Sequence, residues 1–498
     1  MSHADLIVAV DLGTSGVRAG AFDAGGRLVD RAEESYETSR PRPGWVEQDP
    51  NAWWAACRRV IGQVSARIEP ACVRALCPVG LSPTLTCVDG DGRPVRPSPI
   101  WCDSRARAVH AELAERLRPA TVPMSLSQLV WMRRHEPDRY RRMRWALQSY
   151  EYVSFRLTGI TTAITSTREE GTAARLLEAG GLDPAHRPET VRFPGNLIGA
   201  LSPQVAVVVG LPAGLPVIAG TVDCFATWIG TGALRGGTLC VTTGTSGGVA
   251  VISDRRTTDP RGRVGSMPHV IGDRWVLAGP TSSGGNMVAW FANQFYGDET
   301  DRIARLSLDA ASIPAGADGL IALPYLIGER APIDDPEARA VFFGIGEAHT
   351  RAHFARAVLE SVAFAVLDIC EVMREVGAGF DEVRLAGPAA HNTAWSRIRA
   401  DVLGRPVLIP EVADSALLGA AILAARGAGI FDDFEAAIDA MVRIRDVLEP
   451  DKHAHSTYRS RLPLFRDLYQ RLIPLFRHHE PAGSPAVSSS FERERSQS

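Results

Sequence analysis

The sequence predicts an α/β protein built from two similar halves, and three observations support this fold class. The chain has 498 residues, which is too long for one compact core. Strand and helix signals alternate along it. The tetrapeptide Gly-Thr-Ser-Gly occurs twice, at 13–16 and 244–247, each time after a short run rich in Val, Ala and Thr. Because the two copies are nearly half a chain apart, we expect two related domains, 1–240 and 241–478, that face one ligand.

An antiparallel meander opens the first half, and alternating helices and strands follow it. Short apolar runs separated by Gly-rich or Asp-Gly turns indicate the strands, and apolar residues at helical spacing indicate the helix. The predicted elements are strands at 6–10, 17–22, 28–29, 85–88 and 217–219, and an amphipathic helix at 51–67.

The second half repeats this alternation. A strand leads into the second Gly-Thr-Ser-Gly, and a helix rich in small residues is suited to close packing. The predicted elements are strands at 239–243 and 383–386 and helices at 350–376, 417–425 and 458–476. The Ser-, Pro-, Glu- and Arg-rich segment 479–498 predicts a disordered tail.

Composition excludes several classes of partner. The formal net charge of −3 and the hydrophobic fraction of 45% give no electrostatic case for nucleic acid or for an anionic membrane as partner. The first residues lack a signal-type apolar stretch, and no apolar run reaches membrane-spanning length. The eight cysteines follow no zinc-site spacing, so free thiols in the cytoplasm are expected.

The chain contains a single lysine, Lys452. The phosphate loop of P-loop enzymes and the strand lysine of protein kinases are therefore excluded, because neither Gly-rich turn carries a lysine. A nucleoside triphosphate bound by this chain would need backbone amides, hydroxyls, arginine and a metal ion.

Both tetrapeptides are suited to phosphate binding. Glycine lets backbone amides approach an anion closely, and Thr and Ser hydroxyls add donors. Asp11 ends the first apolar strand at such a turn, where a carboxylate can hold Mg²⁺ through water. The alternatives are ordinary strand-to-strand turns and an Asp11 side chain that accepts amide hydrogens from its own turn.

Ten motifs in a fixed order together resemble those of the FGGY carbohydrate kinases, the group that includes xylulokinase, gluconokinase and glycerol kinase. The resemblance runs nearly end to end. It implies the two-domain fold shared with actin and hexokinase, of the ribonuclease H-like type, with ATP and substrate in the cleft between the domains. The motifs lie at 9–18, 44–50, 100–105, 129–131, 156–159, 220–223, 243–247, 323–332, 341–344 and 417–421.

The resemblance also implies roles for individual residues. Asp11 holds Mg²⁺, Arg18 contacts phosphate, and Asp223 is the general base that takes the proton of the attacking hydroxyl. A helix N-cap is the competing interpretation of Asp223, and a solvated strand residue that of Arg18. The residues expected to bind the nucleotide phosphates are Gly13, Thr14, Ser15, Gly244, Thr245 and Ser246.

On the acceptor side, Trp101, Asp103 and Ser82 match the family's substrate-binding positions. An indole face stacks on a sugar and a carboxylate binds hydroxyls, although a buried core Trp is an equally common outcome. Gly285, Gly387 and Asn392 match positions near the adenosine, and turn geometry is the competing account for all three. A homodimer is expected by analogy with relatives.

Two departures from the family pattern leave the acceptor open. Leu81-Ser82-Pro83 stands where xylulokinases carry Gln-Met-His, so a polar sugar contact is missing, and the stretch from Arg105 to Gln128 is several residues shorter than usual. The nucleotide side departs as well, since Pro388 interrupts the usual Gly-rich adenosine turn. The acceptor is a pentulose, a polyol, an aldonate or a cyclitol. The leading interpretation is an ATP- and Mg²⁺-dependent kinase of such a compound. The alternatives are a catalytically weak nucleotide-binding or regulatory protein on the same fold, and an actin-like or chaperone ATPase.

Overall fold

The structure, a computed structural model, describes residues 5–117, 122–165, 172–297 and 299–478, so the tail predicted at 479–498 lies outside the described residues. The first half contains twelve strands and eight helices within these ranges. They are β1 (Leu6–Leu12), β2 (Gly16–Asp23), β3 (Leu28–Ser35), β4 (Glu47–Gln48), α1 (Pro50–Ser65), β5 (Val73–Gly80), β6 (Thr86–Val88), β7 (Ser98–Pro99), α2 (Arg107–Arg116), α3 (Met124–His135), α4 (Pro137–Arg142), β8 (Trp145–Leu147), α5 (Ser149–Thr158), β9 (Ala163–Ile164), α6 (Thr172–Ala179), β10 (Val191–Arg192), β11 (Leu197–Ala200), α7 (Pro203–Val209), β12 (Pro216–Ile218) and α8 (Asp223–Gly230).

The second half contributes the remaining elements of the described chain. They are β13 (Thr238–Thr243), β14 (Gly247–Ser253), β15 (Gly265–Pro268), β16 (Trp275–Thr281), α9 (Gly285–Phe295), α10 (Arg302–Ala311), β17 (Ile321–Leu323), β18 (Val341–Phe343), α11 (Arg351–Glu375), β19 (Glu382–Ala386), α12 (Thr393–Leu403), β20 (Val407–Pro410), α13 (Ser415–Gly427), α14 (Phe434–Met441), β21 (Ile444–Leu448) and α15 (Lys452–His478). The α/β prediction is confirmed.

Two large mixed sheets share one internal pattern. In the first, with order β11-β12-β5-β1-β2-β3, the strands β1, β2 and β3 form an antiparallel meander and β5 and β12 run parallel to β1. In the second, with order β15-β16-β14-β13-β19-β20-β21, the strands β13, β14 and β16 form the meander and β19 and β20 run parallel to β13. Each Gly-Thr-Ser-Gly joins the first two strands of its meander, so the sequence repeat corresponds to a structural repeat.

Both faces of the first sheet are covered by helices. All seven residues of β1 are buried, which is why its sequence is nearly continuously apolar rather than alternating. Helix α1 packs on one face through Trp53, Val60 and Ile61. Helix α13, which comes from the second half of the sequence, packs on the other face, against Ile7 and Ala9 of β1.

Helices α8 and α13 cross with their backbones in contact. A Cβ on Gly419 would overlap the carbonyl oxygen of Ala226, and a Cβ on Gly230 would overlap that of Ser415. The small-residue pattern of α13 therefore has the packing role that the sequence predicts. Since α8 begins at Asp223, this crossing also fixes where the Asp223 carboxylate lies.

Most of the predicted elements are found within a few residues of their expected ends. The helix predicted at 350–376 is Arg351–Glu375, and the helix predicted at 417–425 extends over Ser415–Gly427. The terminal helix spans Lys452–His478 and is longer than the predicted 458–476. The prediction missed its first residues because they are mostly polar and give no apolar stripe. No helix in the described ranges is both long and apolar enough to cross a membrane.

Candidate active site

Three chain segments converge at the carboxyl ends of the parallel strands of the first sheet. The amide of Leu81 donates to the carbonyl of Leu12 (3.0 Å), and the amide of Gly80 donates to the carbonyl of Thr221 (3.2 Å). The ends of β1 and β5 and the segment after β12 are thereby tied together. Because ligands of open α/β sheets bind outside these strand ends, Asp11, Ser82 and Asp223 are brought to one candidate site.

The first phosphate turn is held from behind by side chains. Its ends are closed by a hydrogen bond from the Gly13 amide to the Gly16 carbonyl (2.9 Å). The Tyr36 hydroxyl donates to the carbonyls of Gly13 and Gly16, and Gln48 Nε2 donates to the carbonyl of Thr14 (2.7 Å). With the carbonyls occupied in this way, the exposed residues Thr14 and Ser15 form the tip of the turn.

Asp11 lies beneath this turn and pairs with one arginine. Its Oδ2 is 3.2 Å from Arg18 Nη2, and its buried Oδ1 has no hydrogen-bond partner among the described residues. Burial raises the pKa of Asp11; Arg18 opposes this shift and Asp414 adds to it. Arg18 also bonds Asp414 Oδ1 (2.9 Å), and Arg31 pairs with the other oxygen of Asp414 (2.6 Å). Arg18 is thus held between two carboxylates, and its phosphate contact stays a prediction.

Asp223 is the first residue of α8. Val222 occupies the N-cap position, and Asp223 Oδ1 accepts the amide hydrogen of Cys224 (2.7 Å). No described residue donates a hydrogen bond to its second oxygen, Oδ2. Burial raises the pKa of Asp223 to about 7, and the nearby negative charge of Asp11 adds to the shift. A carboxyl group with one unengaged oxygen and a pKa near neutrality is suited to proton transfer.

The second phosphate turn is braced by the start of helix α9. The amide of Gly285 donates to the carbonyl of Gly244 (2.8 Å), and the amide of Asn286 donates to that of Thr245 (2.9 Å). A Cβ on Gly285 would lie 2.6 Å from the Gly244 carbonyl oxygen, so the approach requires glycine. The structure therefore brings Gly285 to the second phosphate turn, and the binding of nucleotide by Gly244, Thr245, Ser246 and Gly285 stays a prediction.

Gly387 and Asn392 have clear structural roles. Gly387 has a φ of 85°, and a Cβ there would lie 2.7 Å from the carbonyl oxygen of Thr243. Asn392 caps α12: its Oδ1 accepts the Trp395 amide hydrogen (3.1 Å), and its Nδ2 donates to Ser307 Oγ (2.6 Å). Pro388 is the first residue of a 3-10 helix, where a missing amide hydrogen is tolerated. Turn geometry thus accounts for Gly387 and helix capping for Asn392, and the contact of Gly285, Gly387 and Asn392 with adenosine stays a prediction.

Trp101 connects the acceptor side of the site to the first phosphate turn. Its Nε1 donates to Thr14 Oγ1 (2.9 Å), and 40% of the residue remains exposed, so it is not a core tryptophan. Asp103 is different. Its buried carboxylate accepts the Val46 amide (2.6 Å) and two guanidinium hydrogens of Arg105 (2.6 and 2.9 Å). Both oxygens of Asp103 are therefore engaged, and this geometry favours a supporting role under Trp101 over direct contact with a sugar.

In the Leu81–Pro83 loop, the leucine side chain faces the core and the serine hydroxyl bonds a residue of α5. Leu81 is buried in the core of the first half. Ser82 Oγ donates to Oε1 of Gln148 (3.0 Å), the N-cap residue of α5. Gln148 was missed by sequence reasoning, and it borders a cavity of about 280 Å³. The walls of this cavity include Leu85, Leu126, Leu129, Gln148, Glu151 and Arg187.

Comparison with known proteins identifies the family to which this chain belongs. Residues 6–230 match the model of the N-terminal domain of the FGGY family of carbohydrate kinases, and residues 239–428 match that of its C-terminal domain. The xylulose kinase of Escherichia coli (strain K12) is 30% identical over 490 residues, covering 94% of this chain and 100% of that protein. This chain belongs to the FGGY family of carbohydrate kinases. The predicted resemblance is confirmed, and the chain is an enzyme of this kinase class.

Two further proteins similar to this chain are a gluconokinase and a xylulose kinase of known structure. The gluconokinase of Bacillus subtilis (strain 168) is 25% identical, covering 94% of this FGGY kinase and 96% of that protein. The crystal structure of xylulose kinase from Rhodospirillum rubrum is 28% identical and has a TM-score of 0.82, covering 95% of this chain and 100% of that one. The predicted actin- and hexokinase-like fold is confirmed. FGGY kinases use ATP as phosphate donor, with the usual Mg²⁺.

The residues of this FGGY kinase fit a magnesium ion carried with nucleotide phosphates. The described residues contain no group of three or more His, Cys, Asp or Glu side chains arranged to hold a metal by themselves. Magnesium usually takes one or two carboxylates and completes its shell with waters and substrate phosphates. The unpartnered, buried Oδ1 of Asp11 beside the first phosphate turn matches that mode of binding.

Proposed function

We propose that this FGGY kinase transfers the terminal phosphoryl group of ATP to a hydroxyl of a sugar or sugar-like compound, with Asp223 as the general base. The observation that carries the proposal is the Asp223 carboxyl group at the start of α8, with Oδ2 unengaged by the described residues and a pKa of about 7. Phosphoryl transfer depends mainly on positioning and on neutralising charge, and one group must accept the proton of the attacking hydroxyl.

The remaining parts of the proposed reaction follow from the two turns and Asp11. The exposed tips at Thr14 and Ser15 and the braced second turn at Gly244 supply amides and hydroxyls for phosphate oxygens. Asp11 Oδ1 would hold Mg²⁺, which neutralises phosphate charge when it is bound. Arg18, held by Asp11 and Asp414, would contact phosphate on the same side. Gly387 and Asn392 would shape the adenosine site.

The acceptor is proposed to be polyhydroxylated. Similarity to xylulose kinases and to gluconokinases supports a ketose such as xylulose or an aldonate, with polyols and cyclitols as further candidates. The exposed Trp101 ring would stack on the C–H face of the acceptor, and Ser82 with Gln148 would bind a hydroxyl. Asp103 would act through Arg105 by supporting the loop that carries Trp101.

A coupled ADP-release screen across pentuloses, hexuloses, polyols, aldonates and cyclitols tests this function. We expect Mg²⁺-dependent turnover with one of these classes. If ATP binds and none of them is phosphorylated, the result supports the catalytically weak nucleotide-binding protein instead. Two other expectations remain predictions: a homodimer, and a cytoplasmic location, with which the free state of the eight cysteines agrees.

Substitution of Trp101 is expected to act on acceptor binding. Trp101→Phe keeps an aromatic face and loses the hydrogen bond to Thr14 Oγ1, whereas Trp101→Ala loses both. Since aromatic contacts add about 0.5–1.5 kcal/mol beyond burial, we expect Ala to raise the acceptor KM about tenfold or more and Phe about threefold. Steady-state kinetics with each substrate varied separately measures this. An acceptor KM that stays at the wild-type value in Trp101→Ala would contradict an acceptor-side role.

The pH dependence of kcat/KM reports the state of Asp223. A general base acts in its deprotonated form, and the pKa of this carboxyl is raised to about 7. We therefore expect kcat/KM to fall about tenfold per pH unit below pH 7 and to level off above it. Initial rates at constant ionic strength and saturating Mg²⁺ measure the profile. A profile that is flat from pH 5 to pH 8 would remove Asp223 from this role.

A further inference from the structure

Arg399, on α12, is a buried cation without a partner of opposite charge. The residue is only 1% exposed. Nη2 donates to Thr243 Oγ1 (2.9 Å), the guanidinium carbon lies 4.0 Å from the centre of the Trp395 ring, and Nε has no partner. No carboxylate of the described residues lies within 4.0 Å of its guanidinium nitrogens. Contact with an aromatic face stabilises a cation but does not neutralise it.

Other buried arginines of this chain are paired with acids, so Arg399 differs from them. The pairs are Arg96 with Glu47 and Glu136, Arg105 with Asp103 and Glu47, and Arg356 with Glu360. An unpaired buried charge costs several kcal/mol, and burial lowers the pKa of Arg399 to about 9, which leaves it charged at neutral pH. Stability of the fold alone does not explain a cation at this position.

The location of Arg399 beside the second phosphate turn gives a better explanation for its unpaired charge. Its hydrogen-bond partner Thr243 is the last residue of β13 and directly precedes Gly244, the start of the second phosphate turn. A Cβ on Gly387 would lie 2.7 Å from the carbonyl oxygen of Thr243, so the turn after β19, shaped by the φ of 85° at Gly387, lies next to this strand end. The positive charge thus lies behind both nucleotide-side turns. In a low-dielectric interior its field is only weakly screened, so it favours an anion bound in front of them.

We infer that Arg399 is a positioning residue for the nucleotide phosphates, acting from behind the second phosphate turn through Thr243 and through its unneutralised charge. This inference rests on the proposed use of ATP. The bound phosphates supply the negative charge that the described residues around Arg399 do not, in a chain whose single lysine, Lys452, lies in α15. The Arg399 guanidinium also donates a hydrogen bond to Thr243 Oγ1, and this bond fixes the end of β13 next to Gly244.

The test compares ligands that differ only in phosphate number. Arg399→Met and Arg399→Gln remove the charge with different polarity, and Arg399→Lys keeps it as the matched control. Calorimetric Kd values are measured for adenosine, AMP, ADP and ATP, together with the Tm of each unliganded protein. We expect both neutral variants to bind ATP about tenfold more weakly, with a deficit that grows with phosphate number and is absent for adenosine.

The stability readout separates an electrostatic role from a structural one. Because an apolar residue in place of a buried, unpaired charge is neutral or stabilising, the unliganded Arg399→Met protein is expected to keep or raise its Tm. An equal loss for adenosine and ATP, or unchanged ATP binding in both neutral variants, would overturn the inference while leaving the proposed function intact. A wild-type protein that binds no ATP would overturn the proposed function and this inference together.

Discussion

Asp223→Asn is expected to lower kcat by about 10²–10⁴ while leaving ATP binding and folding intact. The amide keeps the shape of the side chain and its acceptor oxygen for the Cys224 amide, but it cannot take a proton from the acceptor hydroxyl. The loss should appear equally in kcat and in kcat/KM, since the interaction with the proton forms only in the transition state. Steady-state kinetics and calorimetric titration with ATP measure the two parts.

The same substitution is expected to stabilise the protein. The pKa of Asp223 in the folded state, about 7, lies above its usual value of 3.8, so the folded state binds the proton more tightly than the unfolded state. The resulting stability is present below pH 4 and is lost as the pH rises towards 7. Asparagine has no charge to desolvate, so at pH 8 the Tm of Asp223→Asn should equal or exceed that of the wild type.

Asp439→Asn is the matched control for this experiment. Asp439 is exposed and pairs at 3.3 Å with Arg235, which is also exposed, and surface pairs of this kind contribute little to stability. Its kcat, its kcat/KM profile and its Tm should all stay close to those of the wild type. A wild-type kcat in Asp223→Asn would remove the general-base assignment, whatever the control does.

The parts of the site that the sequence predicts are those fixed by local chain geometry. Asp11 follows an apolar strand and precedes a Gly-rich turn, and both signals lie within ten residues. The same holds for Gly285, where a Cβ would lie 2.6 Å from the carbonyl oxygen of Gly244, so the close approach of the two backbones requires glycine. The meander also follows from local alternation of apolar runs and turns. Such signals survive in a single sequence because nearby residues produce them.

The parts that the sequence does not predict depend on residues far apart in the chain. Asp414 reaches Arg18 across 396 residues, Gln148 reaches Ser82 across 66, and Arg399 reaches Thr243 across 156. No spacing rule connects these pairs, because the packing of α13, α5 and α12 against other elements sets them. Asp103 illustrates the same point: its motif is local, but the amide of Val46, 57 residues away, is one of the groups that engage the buried carboxylate.

The two phosphate turns are alike in sequence and differ in what supports them. Side chains of Tyr36, Gln48 and Trp101 hold the first turn, whereas backbone amides of α9 hold the second, with Arg399 behind it. Side-chain support connects the first turn to the acceptor residues, since Trp101 belongs to both. The second turn is held by backbone amides of α9, which do not belong to the predicted acceptor-binding residues. We therefore expect substitutions around the first turn to couple nucleotide and acceptor binding, and substitutions around the second turn to affect the nucleotide alone.

Gly419→Ala is expected to destabilise the fold by an amount that is large for so conservative a change. A methyl group there would overlap the carbonyl oxygen of Ala226, so α8 and α13 would have to separate. Insertion of a methyl group into a packed interface costs about 1–3 kcal/mol, and a rigid backbone neighbour favours the upper end. A destabilisation of about 3 kcal/mol corresponds to a fall in Tm of about 6–12 °C, which differential scanning calorimetry measures.

Gly62→Ala is the control for this substitution, and catalysis supplies a second readout. Gly62 lies inside α1, and a Cβ there would lie 3.9 Å from the nearest atom, the Val208 carbonyl oxygen, so alanine should stabilise that helix by about 0.5–1 kcal/mol. Because α8 begins at Asp223, separation of α8 from α13 should also displace the carboxylate and lower kcat. If Gly419→Ala and Gly62→Ala shift Tm in the same direction, the close helix crossing does not hold the site.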